Sequence, residues 1–111
     1  MNSKRSIHEL QDASNEEMLY GTVLTLKGGE ESRSFLRDLC TPDELRSLAG
    51  RWAVVKLVRE EQSHEHIRLQ TGLSLATIGR VASAVKAGSG GFGIACARIE
   101  SADNFSFPTG A

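Results

Sequence analysis

The sequence is short of the chemistry that marks secreted domains, membrane proteins and most enzymes. Only two cysteines occur in 111 residues, Cys40 and Cys96, far apart and without a neighbouring Cys or grouped His. Isolated thiols of this kind read as reduced, structural side chains rather than a disulfide framework. No apolar run approaches the roughly 20 residues needed to cross a bilayer. The opening MNSKRSIHELQD lacks the apolar core and cleavage pattern of a secretory signal, so a cytoplasmic protein with no membrane contact is expected. There is no Ser/His/Asp set, no acidic pair and no metal cluster with workable spacing. The two histidines of His64-Glu65-His66 point to different sides of a helix and lack a nearby third ligand. A protein that is not an enzyme, and that carries no cofactor, is the expectation.

A second scarcity is positional. No acidic residue occurs between Glu65 and Glu100. The net charge of -1 hides this, because residues 63–88 hold Arg68, Arg80 and Lys86 against Glu65 alone. A chance gap in a short chain is one explanation; a surface kept free of acids because it approaches an anion is the other.

What is present is helix. Ser14-Asn15-Glu16-Glu17 has the form of a capping box, followed by Leu19, Val23 and Leu26 at helical spacing. Gly28-Gly29 should end that helix, and a shorter one is expected from about Glu30 to Leu39, with Phe35, Leu36 and Leu39 inward. Thr41-Pro42-Asp43-Glu44 is the clearest start signal: Thr41 caps, Pro42 spends its missing N–H where none is needed, and Glu44 completes the box. Leu45, Leu48, Trp52 and Val55 follow on one stripe, joined by Ala49, Leu57 and Val58, a width that suits a central helix contacted from more than one side. Gly88-Ser89-Gly90-Gly91 is a flexible stop. It cannot be a phosphate loop, since no strand precedes it and no Gly-Lys-Ser/Thr follows. One more short helix is expected over 91–100, residues 1–13 form a lead and 101–111 a loose tail. The domain is all-α, with five to six helices over 14–100.

The informative stretch is SHEHIRLQTGLSLATIGRVASAVKAG, Ser63 to Gly88. Ser63 caps a helix to Thr71, Gly72 permits a left-handed turn, Ser74 caps a second helix from Leu75 to about Ala87, and Gly88 ends it. Helix, glycine turn, helix is the helix-turn-helix arrangement, here 63–87. Ile78, Val81, Ala82 and Val85 make one inward stripe that packs on Ile67 and Leu73. The opposite face is Ala76, Thr77, Gly79, Arg80, Ser83, Ala84 and Lys86, small or cationic throughout. Such a face fits a major groove about 12 Å wide, and the helix start at Ser74 offers backbone donors to phosphate. The plain alternative is an ordinary helical hairpin whose exposed side happens to be small.

The segments LYGTVLTLK, FLRDLCTPDEL and TGLSLATIGRV, with the Gly-rich stop after them, resemble the Trp repressor superfamily, and most closely its YerC/YecD (TrpR-related) branch. The resemblance runs from about Met18 to Arg98 and is specific where LCTPDEL and TGLSLATIGRV occur together at this separation. It implies an intertwined homodimer that binds double-stranded DNA as a transcriptional regulator. The DNA-facing positions it implies are His64, Glu65 and Arg68 on the first helix, with Leu75, Ala76, Thr77 and Gly79 on the second; Ser74, Arg80 and Lys86 join them on the residues' own chemistry. The arginines that clamp tryptophan in the repressor match Arg51 and Arg80. The glycine that leaves room for the indole is matched by Val81, and the serine that meets the ligand's amino group by Ala84, so tryptophan is not the expected corepressor. Arg51 and Arg80 then either hold another carboxylate effector or make salt bridges and phosphate contacts.

The expectation is a dimeric, sequence-specific DNA-binding regulator, repressing by exclusion of polymerase. Two rivals stand beside it. One is a protein interaction module that docks a partner helix on the small face; the other is a regulator that responds to a small carboxylate.

Overall fold

A computed structural model describes residues 6–102. Among these residues there are six helices and no strand: α1 (Ile7–Val23), α2 (Gly28–Leu39), α3 (Pro42–Arg59), α4 (His64–Thr71), α5 (Leu75–Ala87) and α6 (Gly91–Ser101). The all-α class expected from the sequence is the one observed. No helix among the described residues is long and apolar enough to cross a membrane. The chain forms two compact units that divide between Leu45 and Arg46, within α3.

The first unit departs from the sequence expectation at both ends of α1. The helix begins at Ile7, not at Ser14, because Ser6-Ile7-His8-Glu9 is itself a Ser-x-x-Glu start, and the Ser6 hydroxyl accepts from the Glu9 N–H at 3.0 Å. Ser14 therefore lies inside a helix, and residues 7–13 of the expected lead are helical. The rest of that lead, 1–5, lies outside the described residues, as does all but the start of the expected tail. Gly28-Gly29 opens α2 and does not close α1. The end comes earlier, at Val23, where Thr22 and Thr25 turn their hydroxyls onto the carbonyls of Met18 and Thr22 and the chain tightens into three-residue turns. Hydroxyls that bond backward to carbonyls compete with the regular ladder and favour a stop. Glu31 then reaches back to the Lys27 N–H at 2.8 Å and secures the start of α2.

The capping box before α3 is as expected. The Thr41 N–H donates to Glu44 Oε1 at 2.8 Å and the Glu44 N–H to Thr41 Oγ1 at 3.1 Å. Thr41→Ala removes one side of this exchange and is expected to cost about 1 kcal/mol, read as a shift in the urea midpoint. A change below a few tenths would mean that Glu44 and Pro42 start the helix unaided.

The second unit holds the core. Val54, Val55, Ile67, Ile78 and Val81 are buried together, with Trp52, Leu57, Val58, Leu73, Val85, Phe92 and Cys96 packed against them. Val55 and Trp52 were legible on the α3 stripe, but Val54 was not. It sits about 100° around the helix from Val55, and both are fully buried, which is how a helix looks when neighbours cover it from two sides. Leu48, expected inward, is exposed. Phe92 meets Trp52 with ring centroids 5.9 Å apart, so α6 closes over α3 and Cys96 is the small, packed thiol expected. On the same two helices Trp52, Lys56, Arg59, Cys96 and Glu100 line a groove of about 800 Å³, with Arg59 paired to Glu100 at 3.6 Å.

Candidate nucleic-acid interface

The pair α4–α5 is built as its sequence spells it. The Ser63 hydroxyl accepts from the His66 N–H at 3.1 Å, and α4 ends at Gly72 with φ +76°, a left-handed conformation that costs a side-chain-bearing residue free energy. Thr71 locks the turn from one hydroxyl, which donates to the Ile67 carbonyl at 2.7 Å and accepts from the Leu73 N–H at 3.2 Å. Leu73 then covers α3: one of its methyls lies 3.5 Å from where a Cβ at Gly50 would stand. Ser74 caps α5. At the far end the Gly88 N–H bonds to the Ala84 carbonyl, and a Cβ on Gly88 would stand 2.6 Å from that oxygen, so the stop needs glycine.

The inward stripe is as read. Ile78 and Val81 are in the core cluster, Ala82 is buried and Val85 half-buried against it. This fixes the rotation of α5 and turns its other side outward. His64, Ser74, Leu75, Ala76, Arg80, Ser83 and Lys86 are exposed, while Arg68, Thr77, Gly79 and Ala84 are half-buried. The structure thus puts the candidate DNA-facing residues on the open side of one helix pair.

Two details at this surface were not legible in the sequence. Ser74 uses its hydroxyl twice: it accepts from the Thr77 N–H at 3.1 Å and donates to Thr77 Oγ1 at 3.0 Å. The Thr77 oxygen thus accepts one bond from Ser74, which leaves its hydroxyl hydrogen and one lone pair for a further partner. The signal was Ser-x-x-Thr, which reads as a cap but does not reveal the second bond. Glu65 is the other. Its carboxylate is hydrogen-bonded and ion-paired to Arg68 one turn on, which holds its pKa below the usual carboxylate range. The one acid on this surface therefore faces its own helix's arginine, and a phosphate approaching Arg68 meets a guanidinium already shared with Glu65.

Arg51 on α3 and Arg80 on α5 are both exposed. Val81, at the position where the resemblance placed an indole slot, is buried among Val54, Val55, Ile67 and Ile78. No group of three or more His, Cys, Asp or Glu among the described residues could hold a metal.

The sequence model of the family described as Trp repressor protein matches residues 4–100. The chain is similar to the uncharacterized protein YerC of Bacillus subtilis, at 37% identity over 84 residues, 76% of this chain and 81% of the relative. Among solved structures it is similar to a TrpR-like protein from Eubacterium eligens, with a TM-score of 0.70, 35% identity, and coverage of 77% of this chain and 88% of that one. A Staphylococcus aureus protein, provisionally named a Trp repressor, gives a TM-score of 0.71 at 32% identity, covering 87% of this chain and 96% of the other.

Proposed function

The chain belongs to the Trp repressor protein family, a family of DNA-binding regulators, and on that premise we propose that it is a sequence-specific regulator of transcription that binds double-stranded DNA as a homodimer. The observation that carries the reading is the open side of α5. Its stripe is locked into the core through Ile78, Val81 and Ala82, and its outward residues, Leu75 apart, are small or cationic with no acid among them. Ser74, Leu75, Ala76, Thr77 and Gly79 face the bases at the helix start; Arg80, Lys86, His64 and Arg68 serve the phosphates. In this reading the protein performs no chemistry and acts in the cytoplasm, repressing where its site overlaps that of polymerase.

The homodimer is supported by what the first unit fails to bury. Neither α1 nor α2 has a buried residue, although Met18, Leu19, Tyr20, Val23, Leu36 and Leu39 give them large apolar side chains. Large apolar side chains left exposed on two helices suit an interface, and in this reading a second copy supplies the cover. Two heads about a twofold axis then require a palindromic site with half-sites about one helical turn apart.

Tryptophan is not the corepressor in this reading, because Val81 fills the slot and is held there by the core. Arg51 and Arg80 act as phosphate and salt-bridge cations.

The test is selection of bound sequences from a random duplex pool with the wild type and Thr77→Ala. A palindromic motif that relaxes in the variant is the expected result. If neither protein enriches any sequence, the interaction-module reading takes its place.

A further inference from the structure

We propose that the DNA site is read chiefly through the 5-methyl groups of thymine, with Leu75 as the side chain that contacts them. The inference rests on the DNA-binding reading of α5 and adds what that helix recognises.

The argument starts from what the reading end of α5 can offer. Side chains that discriminate base pairs by paired hydrogen bonds are Arg or Lys for guanine and Asn or Gln for adenine. The first turn of α5, Leu75 to Ile78, has none of these; Arg80 comes only in the second turn. Of the residues that face outward there, Leu75, Ala76 and Gly79 have no hydrogen-bonding side chain. Thr77 has one hydroxyl, and its oxygen already accepts one bond from Ser74. A surface so poor in hydrogen-bonding groups cannot spell a sequence by donors and acceptors alone.

Leu75 supplies the other means. It is 50% exposed at the first position of the helix, while the core beneath is filled by Ile78 and Val81. Thymine is the only base that presents a methyl group in the major groove, and a branched apolar side chain beside it removes surface from water on both partners. The cations on the open side of the helix pair select the occupant. Arg80 and Lys86 on the same helix and Arg68 on α4, with no acid on α5, complement a polyanion rather than an apolar protein helix.

The test uses the site enriched by the wild-type protein. Each thymine of a half-site is replaced in turn by deoxyuridine, which lacks only the methyl, and affinity is measured for wild type and Leu75→Ala. Leu75 lies outside the core cluster and alanine favours helix, so the variant keeps the fold; its thermal unfolding midpoint confirms this. The expected result is a loss of about fourfold at one or two thymines per half-site, the factor for one methyl at about 0.8 kcal/mol. That loss disappears in Leu75→Ala, which binds thymine and uracil sites alike. Equal affinity for both sites in the wild type overturns the proposal, as does a uracil penalty that persists undiminished in Leu75→Ala. In those cases the enriched site and its salt dependence still stand, so the DNA-binding reading survives. Enrichment of no sequence overturns both.

Discussion

Raising monovalent salt from about 50 to about 200 mM is expected to weaken binding to the selected DNA roughly a thousandfold. The magnitude follows from counting cations. Arg68, Arg80 and Lys86 lie on the open side of the α4–α5 pair, so the proposed dimer would bring about six cations to the phosphates. Neutralising each phosphate releases condensed counterions, which makes log affinity fall against log salt with a slope of about -0.9 per contact, or about -5 in total. A fourfold rise in salt then costs roughly three powers of ten. Arg80→Ala removes one contact per head and should flatten the slope by about 2, largely irrespective of sequence. Glu65 lowers the count if it keeps hold of Arg68, so a measured slope of about -3.6 would report that the ion pair survives on DNA. Retention that ignores salt altogether would be incompatible with a phosphate-dominated interface.

Ile78→Ala should unfold the reading head at temperatures where the wild type is stable. Ile78 is fully buried and touches the same cluster as Val54, Val55 and Ile67, and truncating such a side chain costs about 2 to 5 kcal/mol because the cavity does not collapse fully. The small number of fully buried side chains places the effect toward the upper end. For a domain of this size that is a fall in Tm of roughly 20 °C, measured at fixed protein concentration because a dimer's stability depends on it. Leu75→Ala, three positions earlier and on the open side, should leave the midpoint nearly unchanged. Similar falls for both variants would mean that α5 is not rotated as described. A loss below about 1 kcal/mol for Ile78→Ala would say that the stripe is not the core.

The contrast between these two leucine-sized neighbours shows what could be read in advance. Caps and turns are local: Thr41-Pro42-Asp43-Glu44, Ser63, Gly72, Ser74 and Gly88 act through hydrogen bonds and backbone angles within four residues of themselves. The structure has α3, α4 and α5 start, and α4 and α5 stop, where those letters indicate. The stripe Ile78, Val81, Ala82 is equally local, since 3.6 residues per turn brings these positions to one side whatever they pack on. Once that side is known to face inward, the open side of α5, and with it the candidate interface, follows.

Where two local signals compete, letters do not decide. Ser6-x-x-Glu9 and Ser14-x-x-Glu17 are both well-formed starts, and α1 takes the earlier because a longer helix adds a backbone bond for each residue it includes once the nucleus has formed. Gly28-Gly29 serves equally well as a stop and as a start, and the hydroxyls of Thr22 and Thr25 settled the matter upstream.

Sequence by itself determined the class, the helix-turn-helix, the inward stripe of α5 and the acid-free side opposite, because each depends on bonds or periodicities a few residues long. Tertiary structure decided the rest. It buried Val54 beside Val55, brought Phe92 onto Trp52, set Val81 among Val54, Val55 and Ile67, and turned the Ser74 hydroxyl onto Thr77. Each of these depends on which surfaces meet or which way a hydroxyl points, and neither is encoded in a spacing.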